Sequence, residues 1–233
     1  TPVLVDVDPR TYTLVPELVE ESLTDKTKCV VPVHLYGQCA DMQRLQALCD
    51  ARDVDLLEDC AQAHGAQHAG RRAGAWGCAA AFSFYPTKNL GAFGDGGMVV
   101  TNDEKLAERI RLMRNYGYSA PSHSISRGYN SRLDEMQAAL LLWGLENLEE
   151  WNARRRSMAA TYSSSLLDTV VTVPYESRLN HHVYHLYVVR SDDRARLRST
   201  LASKGIGAAV HYPVPVHQQE GFAGRCRIGV GDL

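Results

Sequence analysis

The sequence predicts an α/β fold, with a layered first domain on a largely parallel sheet over residues 1–150 and part of a smaller α+β domain over 151–233. Three observations carry this expectation. Short apolar bursts alternate with segments of helical period through the first hundred residues, which is the pattern of strands joined by crossover helices. A long helical stripe starts at Leu133. A shorter strand, helix, strand pattern closes the chain.

Taken in order, 3–7 and 29–33 read as strands and 54–57 as a short third one. Between the last two, residues 41–51 place Met42, Leu45 and Leu48 on one helical face behind Asp41, a residue type suited to capping. "AAAFSFY" and "GGMVVT" read as two further strands. A helix begins near Asp103, with Leu106, Ile110 and Met113 at three- and four-residue spacing. The stripe of Leu133, Met136, Leu140, Leu141, Leu145 and Leu148 predicts a long helix of the kind that joins two domains, so the boundary is placed near residue 150. Beyond it, "HLYVVR", "DRARLRSTLASKG" and "IGAAVH" predict strand, helix and strand. Both ends of the sequence read as incomplete: a strand-like run opens at residue 1, and "RIGVGDL" finishes neither a helix nor a strand.

Composition narrows the function. An apolar fraction of 45%, a charged fraction of 22% and a formal charge of -2 are ordinary for a soluble globular protein. They give no electrostatic case for nucleic acid or an anionic membrane surface. No apolar run is long enough to span a bilayer and no signal-peptide pattern opens the sequence, so a cytoplasmic protein is expected. The six cysteines contain no C-x-x-C pair, which argues against a zinc knuckle or a dithiol redox motif.

Two stretches carry chemistry. In "DVDLLEDCAQAHGA" a strand ends in Glu58 and Asp59, followed by Gln62 and His64. The carboxyl ends of parallel strands are where α/β proteins meet ligands, although an aspartate there also suits a helix N-cap. In "FSFYPTKNLGAFGDGGM" a strand delivers Ser83 and then Lys88 ahead of Gly91, Gly94, Gly96 and Gly97. A lysine held in a partly desolvated pocket loses preference for its ammonium form and becomes a nucleophile toward carbonyls, forming a Schiff base. The plainer alternative is a surface lysine in a glycine-rich turn. No Walker or dinucleotide glycine pattern is present. His181, His182 and His185 lie on a predicted strand where they do not converge, so no metal site is expected.

The run "VPVHLYGQCADM", "EDCAQAHGA", "SFYPTKNLGAFGDGG", "RNYGY", "GYNSRLDEMQAAL" and "HYPVPVHQQ" closely resembles the DegT-type sugar aminotransferases. These are pyridoxal-phosphate (PLP) enzymes with an aspartate-aminotransferase-like, fold type I, three-layer αβα large domain. The resemblance extends from residue 1 to about 222. It implies that Lys88 joins PLP covalently and shuttles protons, that Asp59 pairs with the pyridine nitrogen, that Gln62 lies beside the ring's phenolic oxygen, and that Ser83 binds the phosphate. It further implies that Asn130 reaches a neighbouring subunit's cofactor in a homodimer, and that His185, His211 and Tyr212 lie near the substrate. The implied activity moves an amino group from an amino acid, glutamate by analogy, to a nucleotide-diphosphate-linked keto sugar, with a lean toward a 3-keto-6-deoxy sugar. A sugar dehydratase of the same family is the first alternative, disfavoured because those members carry histidine where this chain has Lys88. A non-catalytic incomplete domain is the second. The family's N-terminal segment, which supplies further phosphate contacts and a ring-stacking aromatic residue, has no counterpart in this sequence.

Overall fold

A computed structural model describes residues 1–230; the last three residues of the second predicted domain lie outside the described residues. The central element is a four-stranded sheet in the order β2–β3–β6–β7, formed by Cys29–Val30 (β2), Asp55–Asp59 (β3), Ala79–Ser83 (β6) and Gly97–Val100 (β7). The first three strands are parallel and β7 is antiparallel, in agreement with the predicted largely parallel sheet. Small strands flank it. Val3–Leu4 (β1) pairs with Arg227–Ile228 (β11), Gln67–His68 (β4) lies between Arg71–Arg72 (β5) and Asn180–His181 (β10), and Tyr118–Ala120 (β8) pairs with His123–Ser124 (β9).

Helices α1 (Pro16–Ser22) and α2 (Met42–Arg52) pack on the sheet through Val19, Met42, Leu45 and Cys49, which meet Val30, Leu56 and Trp76. The predicted α2 cap forms, with the Asp41 carboxylate accepting the Arg44 N–H at 3.3 Å. Asp103 caps α3 (Glu104–Arg114) in the same way, through the N–H groups of Lys105 and Leu106. In each case a carboxylate satisfies backbone donors that the first helical turn leaves free.

Three expectations need correction. The strand read over 3–7 is confined to Val3–Leu4, with Val7 making a single bridge to Leu14. Helix α4 is the predicted long helix, but it runs unbroken through the polar segment "EEWNARRR" as Glu135–Leu166 and buries a different face from the one expected. Its buried face is Leu141, Gly144, Leu148, Asn152 and Ala159, whereas Met136, Leu140 and Leu145 of the predicted stripe are exposed. Third, neither "HLYVVR" nor "IGAAVH" forms a strand. Tyr184 has φ 45°, a left-handed conformation that no extended strand accommodates. The backbone from 183 to 186 instead follows the Leu35–Gly37 turn, with the Val183 N–H donating to the Gly37 carbonyl at 2.9 Å. Only Arg190 makes a bridge, to Thr172. The helix between these segments is present as α5 (Arg194–Ser203), capped by Asp193. Among the described residues, no helix is long and apolar enough to cross a membrane.

Candidate active site

Strands β3 and β6 run side by side, pairing Asp59 with Ala81, and both leave the sheet at the same end. Alternation along β3 sends the two adjacent carboxylates to opposite faces, and their environments differ accordingly. Glu58 is fully buried: it accepts N–H groups from Trp76 (2.7 Å) and Gly77 (2.9 Å) on one oxygen, and from Gly74 (2.8 Å) and His34 Nε2 (3.0 Å) on the other. His34 in turn accepts the Ala40 N–H on Nδ1, which places its proton on the Glu58 side. Although burial pushes the other way, these donors hold the Glu58 carboxyl below its ordinary pKa. Glu58 therefore anchors the 74–77 loop and the 34–40 turn. Cys60 lies close to His34 and Glu58, but with every face of the carboxylate occupied by a donor this trio is a structural clasp.

Asp59 takes no part in this clasp. One oxygen accepts the Ala61 N–H at 3.0 Å. This closes a turn, since 60–66 holds no helix for Asp59 to cap. Lys88 stands near it on the loop leaving β6. That loop folds back on its own strand: Lys88 N–H donates to the Tyr85 carbonyl, Ala92 N–H to Phe84, and Phe84 N–H to Gly96. Gly91 is needed for this, because a Cβ there would sit 2.6 Å from the Pro86 carbonyl oxygen. Lys88 is half-buried. Burial holds its pKa below the ordinary lysine value, and the Asp59 charge opposes that effect. Ser83, the last residue of β6, keeps its hydroxyl at the strand exit, accepting only the Tyr85 N–H at 3.3 Å.

Gln62 connects this region to the far end of the chain. Its Oε1 accepts the Tyr36 N–H at 2.7 Å and its Nε2 faces the Tyr212 hydroxyl at 3.4 Å. Tyr36, held at φ 60°, donates its hydroxyl to the His211 carbonyl at 2.7 Å. The ring of His185 is buried beside Asn89. Desolvation pushes its pKa down to about 4, helped by the positive charges of Lys88 and Arg155. Asp59, Gln62, Ser83, Lys88, His185, His211 and Tyr212 are thus gathered at one end of the sheet. Asn130 is not among them: it is exposed, bridges to Asn115 and accepts from Arg132 Nε.

Three polar residues that sequence reasoning did not assign to the site underlie it. His64 is buried against Phe82 and Phe84. Burial and the Lys88 charge push its pKa down to about 4, while the Ser83 carbonyl favours protonation from a geometry short of a formed hydrogen bond. Asn89 follows Lys88 directly, and Asn152 reaches it from α4 at 2.8 Å. An asparagine four residues beyond Leu148 on the buried face of α4 was the available signal for Asn152.

Comparison with known proteins gives this arrangement a family. The model of the DegT/DnrJ/EryC1/StrS aminotransferase family matches residues 1–233. A pleiotropic regulatory protein of Geobacillus stearothermophilus is 46% identical over 225 residues, covering 95% of this chain and 60% of its own length. The dTDP-3-amino-3,4,6-trideoxy-alpha-D-glucose transaminase of Streptomyces venezuelae is 49% identical over 225 residues, covering 96% of this chain and 59% of its own. The crystal structure of S. venezuelae DesV in complex with a ketimine intermediate superposes with a TM-score of 0.93 at 49% identity, over 97% of this chain and 61% of that one. The chain spans about 60% of the length of the curated relatives it matches. Its fold is that of the fold type I PLP aminotransferases. With a family match along its whole length and an α/β frame that superposes on S. venezuelae DesV, the chain belongs to the DegT/DnrJ/EryC1/StrS aminotransferase family.

Proposed function

We propose that this chain carries the PLP site of an aminotransferase that moves an amino group from an amino acid, glutamate by analogy, to a nucleotide-linked keto sugar. A 3-keto-6-deoxy sugar is the preferred acceptor, in keeping with a relative named for an amine at carbon 3. The observation that carries the proposal is Lys88, half-buried at the exit of β6 with its ammonium form disfavoured, near the Asp59 carboxylate at the exit of β3.

The donor set fits PLP. Lys88 offers an amine that is more readily unprotonated than a surface lysine and so is able to bond to an aldehyde. Asp59 keeps an oxygen free of protein donors, suited to a protonated ring nitrogen. Ser83 offers a hydroxyl to a phosphate, and Gln62 offers an amide to the phenolic oxygen. PLP, when bound, supplies an electron sink for the carbanion formed next to the amino nitrogen.

Each residue then has a task. Asp59 would hold the protonated ring nitrogen by its charge. Lys88 would accept the proton from the donor's α-carbon at Nζ and carry it until the transfer is complete. Gln62, tied to Tyr36 and Tyr212, would offer its amide to the ring's phenolic oxygen while holding the Tyr212 segment in register. In the net reaction glutamate and the keto sugar give 2-oxoglutarate and the amino sugar, with the carbonyl oxygen and the amino group exchanged between them. Asn130 is assigned to a second copy of the chain in a homodimer, a reading supported by its exposure and by the exposed Met136, Leu142 and Trp143 that follow it in sequence.

The test is the half-reaction. The purified protein incubated with PLP and L-glutamate, without any sugar, should release 2-oxoglutarate in proportion to protein and leave the cofactor in its amino form. Lys88→Ala should abolish this. Absence of 2-oxoglutarate from protein that holds PLP would overturn the aminotransferase reading.

A further inference from the structure

We propose that Asn89 and Asn152 are positioning residues that fix the tautomer of His185, leaving its Nε2 as a hydrogen-bond acceptor. The substrate group that His185 takes is then a donor, a hydroxyl or an amine, and not an anionic phosphate or carboxylate. What His185 meets rests on the aminotransferase proposal; its tautomer does not.

The argument starts from two groups that can only accept. Asn152, 1% exposed, donates Nδ2 to the His64 carbonyl at 2.9 Å, so its amide orientation is fixed and its Oδ1 faces Asn89. Asn89 Nδ2 donates to that Oδ1 at 2.8 Å and to the Val183 carbonyl at 3.0 Å, using both of its protons. The Asn89 oxygen is therefore the atom that meets His185 Nδ1, at 3.2 Å. Flipping the Asn89 amide would set its oxygen against two acceptors at once, each unpaired in a buried site. An acceptor facing a ring nitrogen requires N–H there, so Nδ1 carries the proton.

The second half concerns the other ring nitrogen. The surroundings of His185 disfavour a second proton, its ring lying within electrostatic reach of Lys88, Arg155, His64 and His211. The ring is neutral at physiological pH, and a neutral ring with Nδ1–H has a bare lone pair on Nε2. Among the described residues no protein group donates to that atom, which differs from the enclosed nitrogens of His64 in not being sealed from solvent. This is the reverse of the tautomer that a free imidazole side chain prefers. The Asn152–Asn89 pair supplies the difference from a helix 63 residues away.

Long-range proton–nitrogen NMR on the full chain with labelled histidine tests this at pH 7.5, with the His185 ring signals identified by their loss in His185→Gln. The expected result is an Nδ1 resonance in the protonated region and an Nε2 resonance in the unprotonated region. Protonation at Nε2, alone or together with Nδ1, would overturn the proposal. In Asn89→Leu the signature should move to Nε2–H; a variant that folds and keeps Nδ1–H would show that Asn89 does not set the tautomer. Failure of the glutamate half-reaction would remove the aminotransferase reading and leave this measurement unaffected.

Discussion

Lowering the pH from 7 to 5 should destabilise this fold by an amount comparable to the whole stability of an ordinary domain. Three histidines, His64, His182 and His185, are buried, and desolvation is the largest cause that pushes each down to about 4 from an ordinary value of 6.5. The sign follows from proton counting. Between those two values the unfolded chain binds a proton at each site that the folded chain refuses, so stability is complete above about pH 6.5 and falls as pH drops toward 4. At pH 5 each histidine then costs about 2 kcal/mol relative to pH 7, from 1.36 kcal/mol per pKa unit, and the three together roughly 5 kcal/mol. Typical domains have only about 5–15 kcal/mol to lose. The assay is urea unfolding at pH 7, 6 and 5, followed by far-ultraviolet circular dichroism. A midpoint that stays constant across that range would refute the reasoning. Replacing one of the three by an isosteric neutral residue should flatten the pH dependence by about a third.

Other predictions concern single positions. Glu58→Gln should destabilise by roughly 3–5 kcal/mol, because an amide cannot accept from all four N–H groups that surround the carboxylate; a loss below about 1 kcal/mol in urea unfolding would contradict the clasp. Gly37→Ala should cost roughly 2 kcal/mol or more and weaken hydrogen-exchange protection at the Val183 amide. Gly37 sits at φ 103°, and a Cβ would lie 2.9 Å from the His185 nitrogen; an unchanged melt would contradict this. Asn130→Ala should leave unfolding within about 0.5 kcal/mol of the parent yet reduce PLP retention in gel-filtered protein, and a fully active monomer would refute the shared site.

The parts of this structure that were legible in the sequence are those decided locally. Asp41 and Asp103 announce their helices because a carboxylate before a periodic apolar run has few other uses, and Asp59 and Ser83 leave the sheet at the same end because β3 and β6 are parallel neighbours. The illegible parts depend on partners distant in the chain. Nothing near Tyr184 says that it will take a left-handed conformation to follow the Leu35–Gly37 turn. The apolar stripe of α4 could be read on two faces, and the choice was made by Phe84 and Leu90, which pack on Leu141 and Leu148. Glu58 and Asp59 look equivalent as neighbours, and only strand alternation plus the 74–77 loop separates a buried anchor from the acid on the opposite face. Asn89 and Asn152 are unremarkable alone; their meaning comes from each other.

The central claim is that Lys88 is the amine that takes PLP. The measurement that tests it most directly is an absorption spectrum of the purified chain with added PLP, followed by borohydride reduction and peptide mass mapping. The account predicts a visible band that Lys88→Ala abolishes, and a pyridoxyl mass on the peptide containing Lys88. A band that survives Lys88→Ala, or a pyridoxyl mass on a different lysine, would contradict it.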